Sequence, residues 1–274
     1  MIFNNRISPQ SLRALADVKY QPYWQDDSAR PEPASALTES TTADLAIIGA
    51  GFTGLWTALI AKQDDPARDV VILEAGETGS GASGRNGGFV AASLTHTFQN
   101  GLSRWGKEMP KLIELGNQNL DALESTVKQF HMDCDFIRSG ELYVANEPHQ
   151  LAEMRAEIEE STPYGERMEF LDQDQTRARV NSPTYLAAIY DPAVALVNPA
   201  RLVWELKRAC IQLGVRFYEH TRVAQIEEKN RAGVMIKTQY GQVVAQKVAL
   251  ATNAFPPLLK RLSFYVVPVY DYAL

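Results

Sequence analysis

Two short apolar runs with a helical pattern between them stand out near the start of the chain. Residues 44–49 (DLAIIG) and 69–74 (DVVILE) predict strands buried on both faces, and residues 54–62 (GLWTALIAK) predict the helix that joins them. The unit has the length of a βαβ motif, which implies parallel pairing of its strands. Residues 45–61 carry no charge, but the stretch is short and interrupted by glycines, so no transmembrane span is predicted.

The rest of the chain contains further segments with helical periodicity and further segments with strand periodicity. Asn198 is a good N-cap with Pro199 at the first helical position, and Gly214 can end the helix that follows. Four strand-like runs separated by short turns come next and are expected to add a sheet element to the first layer. The predicted elements are helices at 112–130, 151–160 and 199–213, and strands at 141–145, 215–219, 221–228, 233–238 and 242–252.

Charge and cysteine usage exclude several classes of function. Lys and Arg number 27 against 33 Asp and Glu, a net charge of −6 without a basic cluster, so nucleic acid is not an expected partner. Cys134 and Cys210 lie far apart and are expected to be buried, reduced thiols. The N-terminus shows no secretory signal pattern, which predicts a cytoplasmic protein.

The histidines do not suggest a metal site. They are scattered along the chain without ligand spacing, and no metal is therefore predicted. Each is expected to be structural or exposed: His96, His131, His149 and His220.

A glycine motif lies between the first strand and the first helix. Residues 49–54 (GAGFTG) match GxGxxG in the context that the motif requires. Gly49 permits a tight turn, Gly51 lets the backbone approach a pyrophosphate, and Gly54 allows close helix–strand packing. Free N–H groups and the positive end of the helix dipole would then face the phosphates.

Glu74 completes this pattern at the end of the second strand. It lies 20 residues beyond Gly54, where a carboxylate can accept hydrogen bonds from ribose hydroxyls. A glycine-rich turn with a chance acidic residue is the alternative, but strand, turn, helix, strand and acid all stand in register. The sequence thus predicts dinucleotide binding and leaves FAD and NAD open.

The next segment is rich in glycine and small residues. Residues 76–88 read GETGSGASGRNGG, which predicts no helix and suits a surface that wraps an extended ligand. A mobile surface connection is the alternative reading.

Together these motifs resemble one family. GAGFTGL, LEAG and GSGASGRNGG are similar to the FAD-dependent oxidoreductases of the D-amino acid oxidase superfamily, and within it to gamma-glutamylputrescine oxidase-like members. DPAVALVNPARLVWELKRACIQLGV, VALATNAF and VVPVYDYAL resemble the same family in the same order, so the likeness runs from about Tyr23 onward.

The resemblance implies FAD as the cofactor and a set of residues that hold it. The glycines would approach the pyrophosphate, Glu74 would bind the ribose, and residues 83–88 would run toward the flavin ring. Val223 would contact adenine through its backbone, and residues 251–253 would pass near the pyrophosphate. Arg85 would place positive charge near the reduced flavin, with a surface salt bridge as the alternative. The implied cofactor-binding residues are Gly49, Gly51, Phe52, Thr53, Gly54, Glu74, Ala75, Ser83, Arg85, Asn86, Gly87, Gly88, Val223, Ala251, Thr252 and Asn253.

The expected fold class is α/β. A Rossmann-like FAD-binding domain, with a parallel sheet, crossover helices and an added β-meander, would comprise residues 44–100 and 191–262. Part of a mixed α+β substrate domain would comprise residues 101–190 and 263–274. Residues 1–43 would form an irregular N-terminal arm, and its Tyr20, Tyr23 and Trp24 indicate that the arm packs on the domain. The final residues 263–274 (SFYVVPVYDYAL) are interpreted as a strand that is cut short. Family members continue past this run, so we expect this chain to be C-terminally truncated, and no catalytic residue is assigned.

The resemblance favours oxidation of an amine or amino acid. A neutral substrate amine would transfer hydride to flavin N5 and form an imine, and O2 would reoxidise the flavin to give H2O2. One alternative is a flavin dehydrogenase of a hydroxy acid or polyol phosphate. Another is an FAD-binding chain without activity of its own, which needs a partner chain to supply the missing C-terminal half.

Overall fold

The computed structural model describes residues 8–14, 16–18, 21–229, 233–254, 258–262, 264–267 and 269. The strands are β1 (Thr41–Ile48), β2 (Val70–Leu73), β3 (Phe89–Ala91), β4 (Glu141–Ala145), β5 (Glu169–Leu171), β6 (Ala187–Asp191), β7 (Val194–Leu196), β8 (Arg216–Tyr218), β9 (Val223–Glu228), β10 (Val234–Thr238) and β11 (Gln242–Leu250). The helices are α1 (Pro9–Ala14), α2 (Phe52–Asp64), α3 (Phe98–Trp105), α4 (Met109–Gln129), α5 (Gln150–Ser161), α6 (Gln173–Arg179) and α7 (Pro199–Gln212).

A six-stranded sheet with the order β8-β2-β1-β11-β10-β9 forms the centre of the molecule. β1 pairs in parallel with β2 and with β11, and β8 pairs in parallel with β2. β9, β10 and β11 form an antiparallel meander. The predicted α/β fold, the parallel βαβ unit and the added meander are therefore confirmed.

The four strand-like runs after α7 do not all join the meander. β8 follows the crossover helix α7 and adds to the opposite edge of the sheet, beside β2. Only the last three runs form the meander. Strand periodicity identifies each run but contains no information on its pairing partner, so the sequence could not separate the two groups.

Both faces of the central sheet are buried. One face places Ile47 and Ile72 against Leu55 and Leu59 of α2 and Leu206 of α7, all without solvent exposure. The other face buries a second cluster in which residues of the meander and Leu37 of the N-terminal segment take part. Burial on both faces explains why β1 and β2 are continuous apolar runs.

Residues 109–191 form a second region. It contains a three-stranded antiparallel sheet with the order β4-β6-β5 and helices α4 to α6. A two-stranded antiparallel sheet pairs β3, which precedes this region in the chain, with β7, which follows it just before α7. The division into domains remains a prediction, although residues of the central sheet do come from two separate stretches, 41–73 and 216–250.

The N-terminal arm is more ordered than predicted. Residues 9–14 form a helix without buried residues, and Trp24 packs against the main core. Tyr23 is 83% exposed, against the expectation that it packs on the domain, and Tyr20 lies outside the described residues. β1 also begins at Thr41 instead of Asp44, because residues 41–43 pair with residues 243–245 of β11.

Two local expectations need correction or remain open. The segment 76–88 contains a short 3-10 turn at Ala82–Gly84, so it is not wholly irregular. The final run, expected to be a strand, shows no strand in its described residues 264–267 and 269, and residues 263, 268 and 270–274 lie outside the described part.

The two cysteines are buried and unpaired, as predicted. Burial raises the pKa of the Cys134 thiol to about 11 and that of the Cys210 thiol to about 12, so both stay protonated near neutral pH. In the described ranges, none of the helices has the length and apolar character needed to cross a bilayer.

Candidate functional site: a dinucleotide cradle

The glycine turn between β1 and α2 is built by two close backbone contacts. Gly49 has a φ of +108°, and a Cβ at this position would lie 2.4 Å from the carbonyl oxygen of Ala251. A Cβ at Gly54 would lie 2.0 Å from the carbonyl oxygen of Gly49. Both distances are far shorter than a van der Waals contact, so the turn, the end of β11 and the first turn of α2 fit together only with glycine.

The N-terminus of α2 presents unpaired donors at this turn. Gly51 is the N-cap residue, with no side chain to cap the helix. The Phe52 amide donates to Ser83 Oγ over 2.9 Å, while the amides of Gly51, Thr53 and Gly54 have no acceptor among the described residues. These amides and the helix dipole favour an anion such as a pyrophosphate.

Glu74 binds the glycine turn and the following loop together. Its Oε2 accepts from the Ala50 amide at 2.8 Å and its Oε1 from the Gly76 amide at 2.8 Å. Its backbone carbonyl accepts from the Thr221 amide at 2.7 Å, which brings in the segment after β8. A carboxylate has about four lone-pair sites, so Glu74 keeps acceptor capacity for a ribose beside the turn.

The rest of the segment 83–88 lies further along, toward β3. Asn86 closes its own loop, because its Nδ2 donates to the Ser83 carbonyl at 2.8 Å and its Oδ1 accepts from the Gly88 amide at 2.9 Å. Gly88 in turn accepts from the amide of Val197, just before α7. Arg85 is exposed and makes no ion pair with any residue that the structure describes.

Of the remaining predicted residues, Ala251 and Thr252 lie beside the turn, next to the end of β11. Ala251 donates from its amide to Ile48 at 2.8 Å, so residues 251–252 pass directly beside Gly49. Asn253 is exposed, and its side chain accepts from the next amide. Val223 is buried at the start of β9, two residues beyond the Thr221 contact to Glu74.

Sequence reasoning missed a buried group behind this cradle. Glu219, which is 1% exposed, accepts from Lys207 Nζ at 2.6 Å, from the Thr78 amide at 2.6 Å and from the Ala34 amide. Gln25, from the N-terminal arm, donates to the carbonyl of Gly79 at 2.9 Å. The signal available was Lys207 itself, since it lies four positions after Val203 on the apolar stripe of α7, where a lysine needs a buried partner.

The electrostatics of Glu219 follow from these contacts. Burial alone would raise its pKa, but the donors Lys207 Nζ and the amides of Thr78 and Ala34 outweigh that effect. The pKa of this carboxyl is therefore lowered and Glu219 is ionised at neutral pH. Within the described part of the chain, we find no group of three or more His, Cys, Asp or Glu side chains placed to hold a metal ion.

These features fit a dinucleotide: a turn whose backbone packing admits no Cβ at Gly49 or Gly54, unpaired amides at a helix N-terminus and an acidic residue at the next strand end. The model of the family described as FAD dependent oxidoreductase (DAO) matches residues 44–274. The chain belongs to this family. The FAD cofactor, which distinguishes the DAO family from NAD-binding proteins with the same turn, is thereby assigned.

Similar proteins of the DAO family include gamma-glutamylputrescine oxidoreductase of Escherichia coli (strain K12), which is 32% identical over 247 residues that cover 87% of this chain and 57% of the relative. Sarcosine oxidase subunit beta of Rhodobacter capsulatus is 20% identical over 264 residues, 94% of this chain and 59% of that protein. The fold matches the crystal structure of glycine oxidase from Geobacillus kaustophilus with a TM-score of 0.62 and 22% identity, over 78% of this chain and 56% of that structure. The chain thus spans little more than half the length of these relatives.

Proposed function

We propose that this chain binds FAD for the oxidation of a C–N bond in an amine or amino acid. Two observations support this. The family match covers the cradle at residues 49–54 and Glu74, and the relative at 32% identity is named for a reaction of gamma-glutamylputrescine, an amine. Sarcosine, in the name of a second relative, is an N-methyl amino acid and belongs to the same substrate class.

The residues proposed to hold the cofactor are those that the family resemblance implies, and the geometry of the glycine turn and of Glu74 supports this proposal. The amides of Gly51, Thr53 and Gly54 would bind the pyrophosphate, and Glu74 would accept from the adenosine ribose. Ala75 and Val223 would lie on the adenosine side, and residues 83–88 would run toward the flavin, with Arg85 supplying positive charge there. Residues 251–253 would line the turn from the β11 side.

FAD, when bound, would supply the redox chemistry, namely hydride acceptance from the carbon next to the substrate nitrogen and reoxidation by an acceptor that we propose is O2, with formation of H2O2. The protein contributes binding and orientation. No side chain of this chain is assigned a proton-transfer role. A cytoplasmic location also remains a prediction of the sequence.

The test of FAD binding compares Glu74 with a glutamate far from the glycine turn. Glu74→Gln removes the charged acceptor at the turn, and hydrogen bonds to charged groups contribute about 1.5–3 kcal/mol, so FAD affinity should fall about 10-fold to 100-fold. Glu169→Gln is the control, because Glu169 is exposed on β5 of the three-stranded sheet and its side chain has no hydrogen-bond or ion-pair partner among the described residues. Titration of the purified chain with FAD by flavin fluorescence measures both, and equal affinities of the wild type and Glu74→Gln would contradict the proposed site.

The test of the reaction is anaerobic mixing of the FAD-loaded chain with candidate substrates. Loss of the flavin absorbance near 450 nm with primary or secondary amines or amino acids, followed by its return with O2, supports the proposal. Reduction by hydroxy acids or polyol phosphates instead would assign the chain to the alternative dehydrogenase class.

A second candidate function rests on the name "subunit beta" of one relative and on the share of its length that this chain spans. In this alternative the chain binds FAD but needs a partner polypeptide to act. A chain that is yellow but is reduced by none of these substrates, and becomes active when a second polypeptide is added, would favour it.

A further inference from the structure

The N-terminal arm, here residues 21–37, contacts the cofactor region at several separate points. Asp27 accepts from Arg201 Nε of α7 at 2.8 Å, and Arg30 pairs with Glu77 at 2.5 Å. The Leu37 amide donates to Thr221 Oγ1 at 2.9 Å. The arm is therefore fixed along its length to the elements around the cradle.

A buried contact of the arm reaches the loop of the cradle beside the glycine turn. Gln25, 7% exposed, donates to the Gly79 carbonyl, and the Gly79 amide donates to the carbonyl of Ala50 at 3.2 Å. Ala50 lies inside the glycine turn. A continuous line of hydrogen bonds thus runs from an arm side chain through one loop residue to the turn.

Glu219 forms the second link. Its carboxylate accepts from the amide of Ala34 in the arm and from the amide of Thr78 in the loop, next to Gly79. Lys207 of α7, 5% exposed, donates to the same oxygen as Ala34 and also lies 3.4 Å from the Glu32 carbonyl. One buried carboxylate therefore joins the arm, the loop and helix α7.

The loop needs such support because of its own composition. Residues 76–88 contain six glycines and few side chains that pack, so their backbone has unusual freedom when unsupported. A loop that is fixed before binding loses less conformational freedom when the ligand binds. Contacts to Thr78 and Gly79 would supply that order at the point where the loop meets the glycine turn.

We propose that Gln25 and Glu219 are positioning residues of the cofactor site, through which the N-terminal arm holds residues 78–79 and the glycine turn ready for FAD. This inference rests on the proposed FAD binding for its effect on affinity. The contacts of Gln25 and Glu219 with residues 78–79, here called the clamp, form without the cofactor and can be measured without it.

The experiment uses the full chain with two test variants, each with a control. Gln25→Leu removes the donor to Gly79 and keeps the side-chain size. Its control is Gln21→Leu, because Gln21 donates only within the arm, to the Gln25 carbonyl. Glu219→Gln removes the buried charge. Its control is Lys62→Met, which removes another buried charged group whose acceptors are the carbonyls of Pro66 and Arg68, at the other end of β2.

Each variant is examined by FAD titration and by amide hydrogen exchange of residues 76–84 without FAD. We expect Gln25→Leu and Glu219→Gln to raise the Kd for FAD about tenfold and to speed exchange in this segment. Gln21→Leu should match the wild type. Lys62→Met can lower the unfolding temperature but should change neither the Kd nor exchange at 76–84.

The outcomes separate this inference from the proposed function. Unchanged exchange at 76–84 in Gln25→Leu, or an FAD affinity equal to that of the wild type, overturns the inference. If the wild-type chain does not bind FAD, the proposed function fails, and the exchange data alone show whether Gln25 and Glu219 order residues 76–84. If Glu219→Gln does not fold, Gln25→Leu with its control gives the answer.

Discussion

The six-stranded sheet and the three-stranded sheet are buried in different ways. In the first, β1 and β2 are covered on both faces, and Ile47, Val70 and Ile72 have no solvent exposure. In the second, the central strand β6 is buried, whereas β4 carries Tyr143 at 51% exposure. A cation–π contact covers part of this sheet, because the guanidinium of Arg155 in α5 lies 3.7 Å from the ring centre of Phe170 in β5.

This difference indicates that the six-stranded sheet contributes more to the stability of the molecule than the three-stranded sheet. Burial of apolar surface on two faces contributes more than burial on one strand with exposed neighbours. Regions with few buried apolar contacts open locally at lower free energy than core strands. We therefore expect the cofactor region to unfold only with the whole chain and the three-stranded sheet to open independently. Four predictions test this comparison, beginning with the largest effect.

The largest effect is expected at the glycine turn. Gly54→Ala places a Cβ 2.0 Å from the Gly49 carbonyl oxygen, a clash between backbone elements that only a shift of α2 can relieve. We expect the free energy of unfolding to fall by more than about 4 kcal/mol, with loss of FAD binding. Urea unfolding and FAD titration measure both.

The control for this variant is a glycine of the loop 76–88. A Cβ at Gly81 would meet nothing within 4 Å, so Gly81→Ala should leave the stability unchanged or raise it by about 0.5 kcal/mol. A stable, FAD-binding Gly54→Ala variant would show that helix α2 does not need this close contact.

The second prediction compares matched isoleucines in the two sheets. Ile72→Ala in β2 and Ile189→Ala in β6 each remove a buried side chain, and such changes cost about 2–5 kcal/mol. We expect Ile72→Ala at the upper end of this range, with weaker FAD binding. Ile189→Ala should fall at the lower end and leave FAD affinity intact. Equal losses of FAD affinity would mean that the two regions unfold as one unit.

The third prediction concerns pH and the buried Glu219. Because its pKa is lowered on folding, its ionised form stabilises the protein above the ordinary glutamate pKa, and this contribution is lost as the pH falls through the folded pKa. Breaking a buried ion pair costs about 3 kcal/mol or more, so Glu219→Gln should be less stable by that amount at pH 7.

The difference between the wild type and Glu219→Gln should stay constant from pH 7 to about 5 and shrink below about pH 4.3. Lys207 is the cation that faces Glu219, and the nearby Arg30 and Glu77 form a pair of their own. Urea unfolding at a series of pH values measures the difference. A difference that grows on acidification would contradict the assignment of Glu219 as the ionised partner.

The smallest effect is expected from two helix caps. Asn198 accepts from the Arg201 amide at the start of α7, and Asp172 forms a capping box with Gln175 at the start of α6. Replacing either by Ala should cost about 1 kcal/mol locally. Asn198→Ala should lower the global unfolding temperature by about 2–4 °C. Asp172→Ala should mainly speed hydrogen exchange in α6, and a global change of the same size would argue against independent opening.

The local elements of the cofactor region could be predicted because their signals are local. The apolar runs of β1 and β2, the glycines at 49–54 and the Asn198 cap are each defined by neighbouring residues, and the structure has all of them. The family resemblance, and with it FAD, is confirmed by the match over residues 44–274. The individual cofactor contacts remain predictions.

The parts that were missed depend on distant partners. Gln25 contacts Gly79, 54 positions away, and Glu219 contacts Thr78, 141 positions away, so neither contact leaves a periodic pattern. The extra residues of β1, Thr41, Thr42 and Ala43, do not continue the apolar run and become strand only because β11 lies beside them. The placement of β8 at the opposite edge likewise follows from pairing that no single segment specifies.

The pairing of β1 with β11 also has a consequence for how the chain folds. The side chain of Gln246 donates a hydrogen bond to that of Asp44, 202 positions earlier, and Ala251 packs against the turn at Gly49. Such high contact order makes folding slow, because a long loop must close before these contacts form. During synthesis the nucleotide cradle would therefore stay open on the β11 side until the ribosome has released residue 251, and cofactor capture would come only after that point.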